Sequence, residues 1–204
     1  ATQLAFTTQP GNVTTDGTIS AVVTVRDAQG NTVTASSASV LLGITSGTGT
    51  ANAHLSGTVT VGAVNGVATY AGLRIDSVGA GYTLRATSEG LTTATSTPIT
   101  VSVGAESRVA ITVQPSNVVA GATMSPAVVV TVQDARGNTA TGSTTPVALA
   151  LTVPGGATLT GGGAPTSFVG GVATFGGLSV DSVGSGYTLT ATANGLTPAT
   201  SAAF

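Results

Sequence analysis

Hydrophobic and polar residues alternate with a period of two along much of this chain. In Thr18–Arg26, Ile19, Ala21, Val23 and Val25 fall on one face, and Thr18, Ser20, Val22 and Thr24 on the other. Successive side chains of an extended strand point to opposite faces, so this spacing predicts a half-buried strand. Similar pieces follow at Val40–Thr45, Gly66–Ala71, Gly81–Ser88 and Thr95–Val103, the last alternating Ile99, Val101 and Val103. A second series runs Ala110–Gln114, Ala127–Asp134, Pro146–Val153, Gly171–Gly176 and Gly186–Ala193. Thr and Val dominate these pieces, Gly and Pro interrupt them, and nothing reads as a long helix. The pattern predicts an all-β chain of short antiparallel strands at sandwich spacing.

The two series are copies. Val64–Leu84 reads Val-Asn-Gly-Val-Ala-Thr-Tyr-Ala-Gly-Leu-Arg-Ile-Asp-Ser-Val-Gly-Ala-Gly-Tyr-Thr-Leu, and Val169–Leu189 repeats it closely, 189 − 84 = 105 residues later. A period that long matches a small domain rather than a solenoid repeat. The expected domains are residues 1–104 and 105–204, placed end to end as an elongated pair. Gln9-Pro10 recurs as Gln114-Pro115, whereas Asp27–Asn31 recurs as Asp134–Asn138, so the second copy gains two residues and later loses them. Compensated insertions of this kind fall in loops. Gly104–Arg108 reads as a short connector that limits hinge motion. Pro154, Gly155-Gly156, Gly161-Gly162-Gly163 and Pro165 read as a flexible loop whose counterpart is Ser46–Ala53.

Composition narrows the function classes. Only 6% of residues are charged, against roughly 25% in an average soluble domain. All five basic residues are arginine and the net charge is −2, so there is no basic footprint for nucleic acid or an anionic membrane. Cysteine is absent, which removes disulfides and thiolate zinc sites. No apolar run approaches the ~20 residues of a membrane-spanning helix, and Ala127–Val130 is a strand-sized piece. Neither membrane insertion nor a nucleic-acid partner is expected.

Two motifs recur in both copies. Asp27, Gly30 and Asn31, with Asp134, Gly137 and Asn138, follow an alternating strand. Asp and Asn side chains bond nearby backbone and Gly supplies a positive φ, so Asp-x-x-Gly-Asn predicts a tight turn. Calcium would need about six to eight oxygens with several carboxylates, and the chain has seven acidic residues, none adjoining these aspartates. No metal and no cofactor are expected. The second motif runs from Asp76 to Tyr82 and from Asp181 to Tyr187, with a Tyr entering a strand just after an Asp-x-x-Gly turn. That is the pattern of a tyrosine corner, whose hydroxyl bonds upstream backbone.

On these residues the chain resembles bacterial immunoglobulin-like domains of the broad invasin/intimin-type group. The likeness rests on the strand into Asp-x-x-Gly-Asn, on Gly-Val-Ala-Thr-(Tyr/Phe) and on Gly-Tyr-Thr-Leu, and covers both copies. It implies tandem immunoglobulin-like β-sandwiches and an extracellular or cell-surface setting. It transfers no catalytic residue.

Catalytic readings find little support in the residues. His54 is the sole histidine, has no counterpart in the second copy and is expected to be exposed, so a Ser/His/Asp device would have to lie within one copy. No Gly-Lys-(Ser/Thr) follows the Gly-rich stretches, so no phosphate loop is supported. Asn12-Val13-Thr14 is a single N-glycosylation sequon, and the Ser/Thr density is compatible with a glycan coat. The expected role is a non-catalytic spacer, stalk or fibre subunit. An adhesin or carbohydrate-binding module is the alternative, for which few aromatics remain outside the expected core of Tyr70, Tyr82, Phe175 and Tyr187. Phe204 aligns with Ile99, so the last strand of the second copy should be short. Neighbouring copies or further repeats are the expected partners, through β-augmentation of that edge.

Overall fold

The structure is a computed structural model that describes residues 1–152 and 156–204. Val153, Pro154 and Gly155 therefore lie outside the described residues, and with them the end of the expected strand over 146–153 and the start of the Gly/Pro loop. The chain packs as two compact units, Ala1–Gly104 and Ala105–Phe204.

The first unit holds β1 (Gln3–Thr8), β2 (Val13–Thr14), β3 (Ile19–Arg26), β4 (Ser39–Ile44), β5 (Leu55–Ser56) and β6 (Thr60–Gly62). It continues with β7 (Val67–Ile75), β8 (Gly79–Tyr82), β9 (Leu84–Thr87), β10 (Ala94–Thr95) and β11 (Ile99–Ser102). One sheet has the order β1-β3-β7-β5 and a second β10-β9-β4-β6. The alternation of the sequence decides what lies between them. Ile19, Ala21, Val23 and Val25 of β3, with Tyr70, Leu73 and Ile75 of β7, pack with Val40 and Leu42 of β4 and Leu84 and Ala86 of β9 in one core. Leu41, between two buried neighbours, is 46% exposed, as a period of two requires. A third sheet, β2-β11-β8, closes one side: β11 runs parallel to β2 and antiparallel to β8.

The second unit repeats the plan with β12 (Glu106–Val113), β13 (Val128–Asp134), β14 (Val147–Thr152) and β15 (Leu159–Thr160). Then come β16 (Val172–Phe175), β17 (Ser179–Val180), β18 (Thr188–Ala193) and β19 (Ala199–Thr200). Its sheets are β12-β13-β16, β14-β18-β19 and β15-β17. Each unit is thus an all-β, immunoglobulin-like sandwich, and no helix occurs among the described residues.

Three details depart from the sequence reading. Glu106, Ser107 and Arg108 belong to β12 rather than to a connector: Glu106 and Arg108 pair with β13, and Ser107 sits at the irregularity between them. The Gly-rich stretch near 161 is partly ordered: the Gly162 carbonyl accepts the Leu149 amide, and Leu159–Thr160 pairs with Ser179–Val180. Its counterpart loop leans on the core of the first unit, because a Cβ at Gly49 would run into the ring of Tyr82. The Thr50 hydroxyl also donates to the Val78 carbonyl across 2.6 Å.

Candidate functional site

The recurring polar residues form two self-contained knots in each unit. In the first knot, the Asp27 carboxylate accepts the amides of Gln29 at 3.0 Å and Asn31 at 2.8 Å, and the Asn31 side-chain amide at 3.1 Å. Asp134 accepts the Arg136 and Asn138 amides at 2.9 Å each, and the Asn138 side-chain amide at 3.0 Å. The backbone closes underneath: Asp27 donates to the Asn31 carbonyl and Gly30 to the Asp27 carbonyl, with Asp134, Asn138 and Gly137 doing the same. Gly30 and Gly137 sit at φ 88° and 93°, in the left-handed region that Gly enters without a Cβ clash. The Asn31 side chain and backbone hold the Asp27 carboxyl below its ordinary value, ahead of a small opposing effect of burial. These carboxylate oxygens are engaged by the N–H groups of their own turn. Among the described residues no cluster of three or more His, Asp or Glu side chains is arranged to hold a metal.

The second knot joins Asp76 and Tyr82 to the loop before β5. Asp76 accepts the His54 backbone amide at 2.9 Å and the Ser77 hydroxyl at 2.8 Å. Asp181 accepts the Thr158 amide and the Ser182 hydroxyl, both at 2.8 Å. The Tyr82 hydroxyl donates to the Ser77 carbonyl at 2.9 Å, and the Tyr187 hydroxyl to the Ser182 carbonyl at 3.2 Å. Both rings are buried. Gly79 and Gly184 leave room for them, since a Cβ at either glycine would meet the tyrosine. The Thr158 amide and the Ser182 hydroxyl lower the Asp181 carboxyl. At Asp76 burial pushes upward, but the His54 amide, the Ser77 hydroxyl and the His54 charge outweigh it, so the net direction is down.

This geometry explains why His54 has no counterpart. Asp76 accepts the backbone amide of residue 54 and Asp181 that of Thr158, a tie that does not depend on which side chain stands there, although the His54 charge and the Thr158 side chain each add to it. His54 itself is exposed.

Further ties escaped the sequence reading. Gln9 accepts the Thr97 amide and Gln114 the Ala202 amide, each at 2.9 Å, linking the start of each unit to its end. The Ser96 and Ser201 hydroxyls accept the Leu84 and Leu189 amides at 2.9 and 2.8 Å. Their recurrence at one spacing was the available signal. Tyr70 donates to the Val40 carbonyl at 2.6 Å, and burial pushes its hydroxyl from 10.0 up to about 12. Asn65-Gly66 turns the chain between Val64 and Val67 with φ 52° and 76°, the Asn-Gly hairpin signature. Asn12, the sequon residue, is exposed, and its side-chain oxygen accepts the Thr100 amide at 2.8 Å.

The arrangement defines a class: paired immunoglobulin-like sandwiches whose shared polar residues tie down their own backbone. Solved structures similar to this chain include FdeC, described as an Escherichia coli adhesin, at 20% identity and TM-score 0.40, covering 98% of this chain and 63% of FdeC. The D0-D1 domain of intimin is 16% identical at TM-score 0.35, with 100% and 97% of the two chains covered. Invasin, described as a bacterial integrin-binding protein, is 18% identical at TM-score 0.38, covering 98% of this chain and 38% of invasin. This chain thus spans less than two thirds of the FdeC and invasin chains. No protein-family model and no curated protein matches it.

Proposed function

We propose that the chain is a non-catalytic structural module of an extracellular or cell-surface protein. In this reading it acts as a spacer or stalk, or as the repeating subunit of a fibre, with immunoglobulin-like domains at residues 1–104 and 105–204. One observation carries it. The polar positions that the units share (Asp27/Asp134, Asn31/Asn138, Asp76/Asp181, Tyr82/Tyr187 and Gln9/Gln114) hydrogen-bond within their own unit, chiefly to backbone. Duplication has kept what holds a sandwich together, and no reactive set of side chains recurs. A surface low in charge adds little repulsion between neighbours, which suits repeats standing side by side.

The adhesin description of FdeC and the integrin-binding description of invasin belong to those proteins. For this chain a sugar-binding role has less support, because all seven aromatic side chains are buried or half-buried and offer no exposed platform. Immunogold electron microscopy of the native cells tests the proposal: label on filaments or on the outer surface is expected. Label confined to the cell interior would sink it, and specific binding on a glycan array would put the adhesin reading first.

A further inference from the structure

Two Asn-Gly pairs stand at turns of this chain, and the fold treats them differently. Asn65-Gly66 closes the hairpin between Val64 and Val67. Gly66 is buried there and gripped on both sides: its amide donates to the Ser36 carbonyl at 3.1 Å, and its carbonyl accepts the Val25 amide at 2.8 Å. A Cβ at Gly66 would lie 2.4 Å from the Val33 carbonyl oxygen. Asn194-Gly195 turns the chain after β18, where the Leu196 amide donates to the Ala193 carbonyl at 3.2 Å. Both of these residues are exposed. Neither the Gly195 amide nor the Asn194 side chain has a hydrogen-bond partner among the described residues. A Cβ at Gly195 would meet nothing within 4 Å.

An Asn-Gly pair carries most of a reaction in itself. The side-chain carbonyl carbon of Asn and the next backbone nitrogen can close a five-membered ring, and Gly has no side chain to obstruct the rotation that brings them together. When the Gly195 amide gives its proton to hydroxide, its nitrogen attacks Cγ of Asn194. The Cγ–N bond forms and the Cγ–Nδ2 bond breaks. Nδ2 leaves as ammonia with a proton taken from water, which regenerates the hydroxide. A second water then opens the cyclic imide at one of its two carbonyls. Opening at Cγ gives aspartate, and opening at the main-chain carbonyl gives isoaspartate, in which the chain runs through Cβ.

We propose that Asn194 is a self-modification site, converted by water to an acidic residue through a cyclic imide formed with Gly195, and that the grip on Gly66 protects Asn65 from the same fate. The first unit shows that the turn accommodates the product. Its equivalent, Ser88–Leu91, carries Glu89 at the matching place, 194 − 89 = 105, with Gly90 at φ 72° against 75° for Gly195. The Leu91 amide donates to the Ser88 carbonyl there, as Leu196 does to Ala193. Conversion therefore sets a carboxylate where the other copy already has one, and makes the chain one charge more negative than −2. The isoaspartate form reaches further. It adds a carbon to the main chain just before Thr197, whose amide donates to the Ser107 carbonyl and whose carbonyl accepts the Val109 amide, both in β12. The chemistry belongs to the turn and is independent of the stalk reading.

The test incubates the whole chain in mildly alkaline buffer and follows the side-chain amides of Asn65 and Asn194 by NMR. Peptide mapping by mass spectrometry locates the amide-to-acid mass gain and separates aspartate from isoaspartate. Loss of the Asn194 amide should run about tenfold faster than loss at Asn65, the factor that one retained hydrogen bond imposes on a rate. In guanidinium, where the grip on Gly66 is gone, the two pairs should convert at like rates. Asn194→Gln, whose ring would need six members, should abolish conversion at 194 and leave Asn65 as it was. In the isoaspartate product the Thr197 and Val109 amides should exchange faster than in the parent. Conversion at Asn65 as fast as at Asn194 in the folded chain, or an Asn194 amide that stays intact while the denatured chain converts, would overturn the proposal.

Discussion

Replacing Tyr82 by Phe removes one oxygen and little else, so it isolates the hydroxyl bond to the Ser77 carbonyl. The ring stays buried, so no cavity term arises. A typical intramolecular hydrogen bond contributes about 0.5–1.5 kcal/mol net, and a deeply buried acceptor left unpaired costs more. Ser77 is half-buried, so its carbonyl can turn to water, and the expected loss is about 1 kcal/mol. For a unit of this size that shifts melting by about 4–8 °C. Tyr187→Phe provides an internal comparison. Its bond is longer, 3.2 Å against 2.9 Å, and its ring is slightly exposed, so its loss should be the smaller. Hydrogen exchange read by mass spectrometry across a urea series assigns each loss to its own unit. A Tyr82→Phe protein as stable as the parent, or a larger loss from Tyr187→Phe, would refute the reasoning.

Tyr70→Phe should cost about 1–3 kcal/mol, because the Val40 carbonyl that loses its partner belongs to a fully buried residue; Phe175 at the matching site shows that the ring alone fits. The Tyr70 hydroxyl is raised in the fold, so its contribution is intact below pH 10 and fades as pH climbs toward about 12. Alkaline titration of the parent against Tyr70→Phe by circular dichroism should show a steeper loss in the parent. Gly184→Ala places a methyl against the Tyr187 hydroxyl and should destabilise the second unit by about 1–3 kcal/mol. Gly11→Ala, which meets nothing within 4 Å, should stay within about 0.5 kcal/mol in the same denaturation assay. The Asp27 and Asp181 carboxyls lie below the ordinary 3.8, so their stabilisation is present above that pH and is lost as pH falls through the lower folded values. Asp27→Asn with Asp181→Asn should flatten the acid limb of a urea-midpoint profile, and an unchanged limb would discount both turns.

The sequence disclosed most where side chains alternate most sharply. Strands β3, β4, β13 and β18 fall close to their expected spans because one face of each is buried, the other being more exposed in β4 and β18 and partly covered in β3 and β13. β1 escaped because it is an edge strand with only Leu4 fully buried, so its pattern hardly alternates. The two-residue strands β2, β5, β10, β15, β17 and β19 are too short to show a period and exist through pairing alone. The aspartates were legible as turn residues because their partners lie within a few positions. The reach of Asp76 to residue 54, and of Gln9 to residue 97, was not, since each spans a distance along the chain that only folding closes.

The parallel pairing of β2 with β11 bears on how the protein answers to force. The second strand of the first unit and its last strand run side by side in one direction. A pull on Ala1 against Gly104 therefore slides the strands past each other and loads their hydrogen bonds together, instead of peeling them one at a time. The Asn12 and Gln9 side chains, bonded to residues 88 positions away, add to the same lock. The second unit repeats the Gln9 tie as Gln114 to Ala202, also 88 positions apart, so that part of the lock is common to both units.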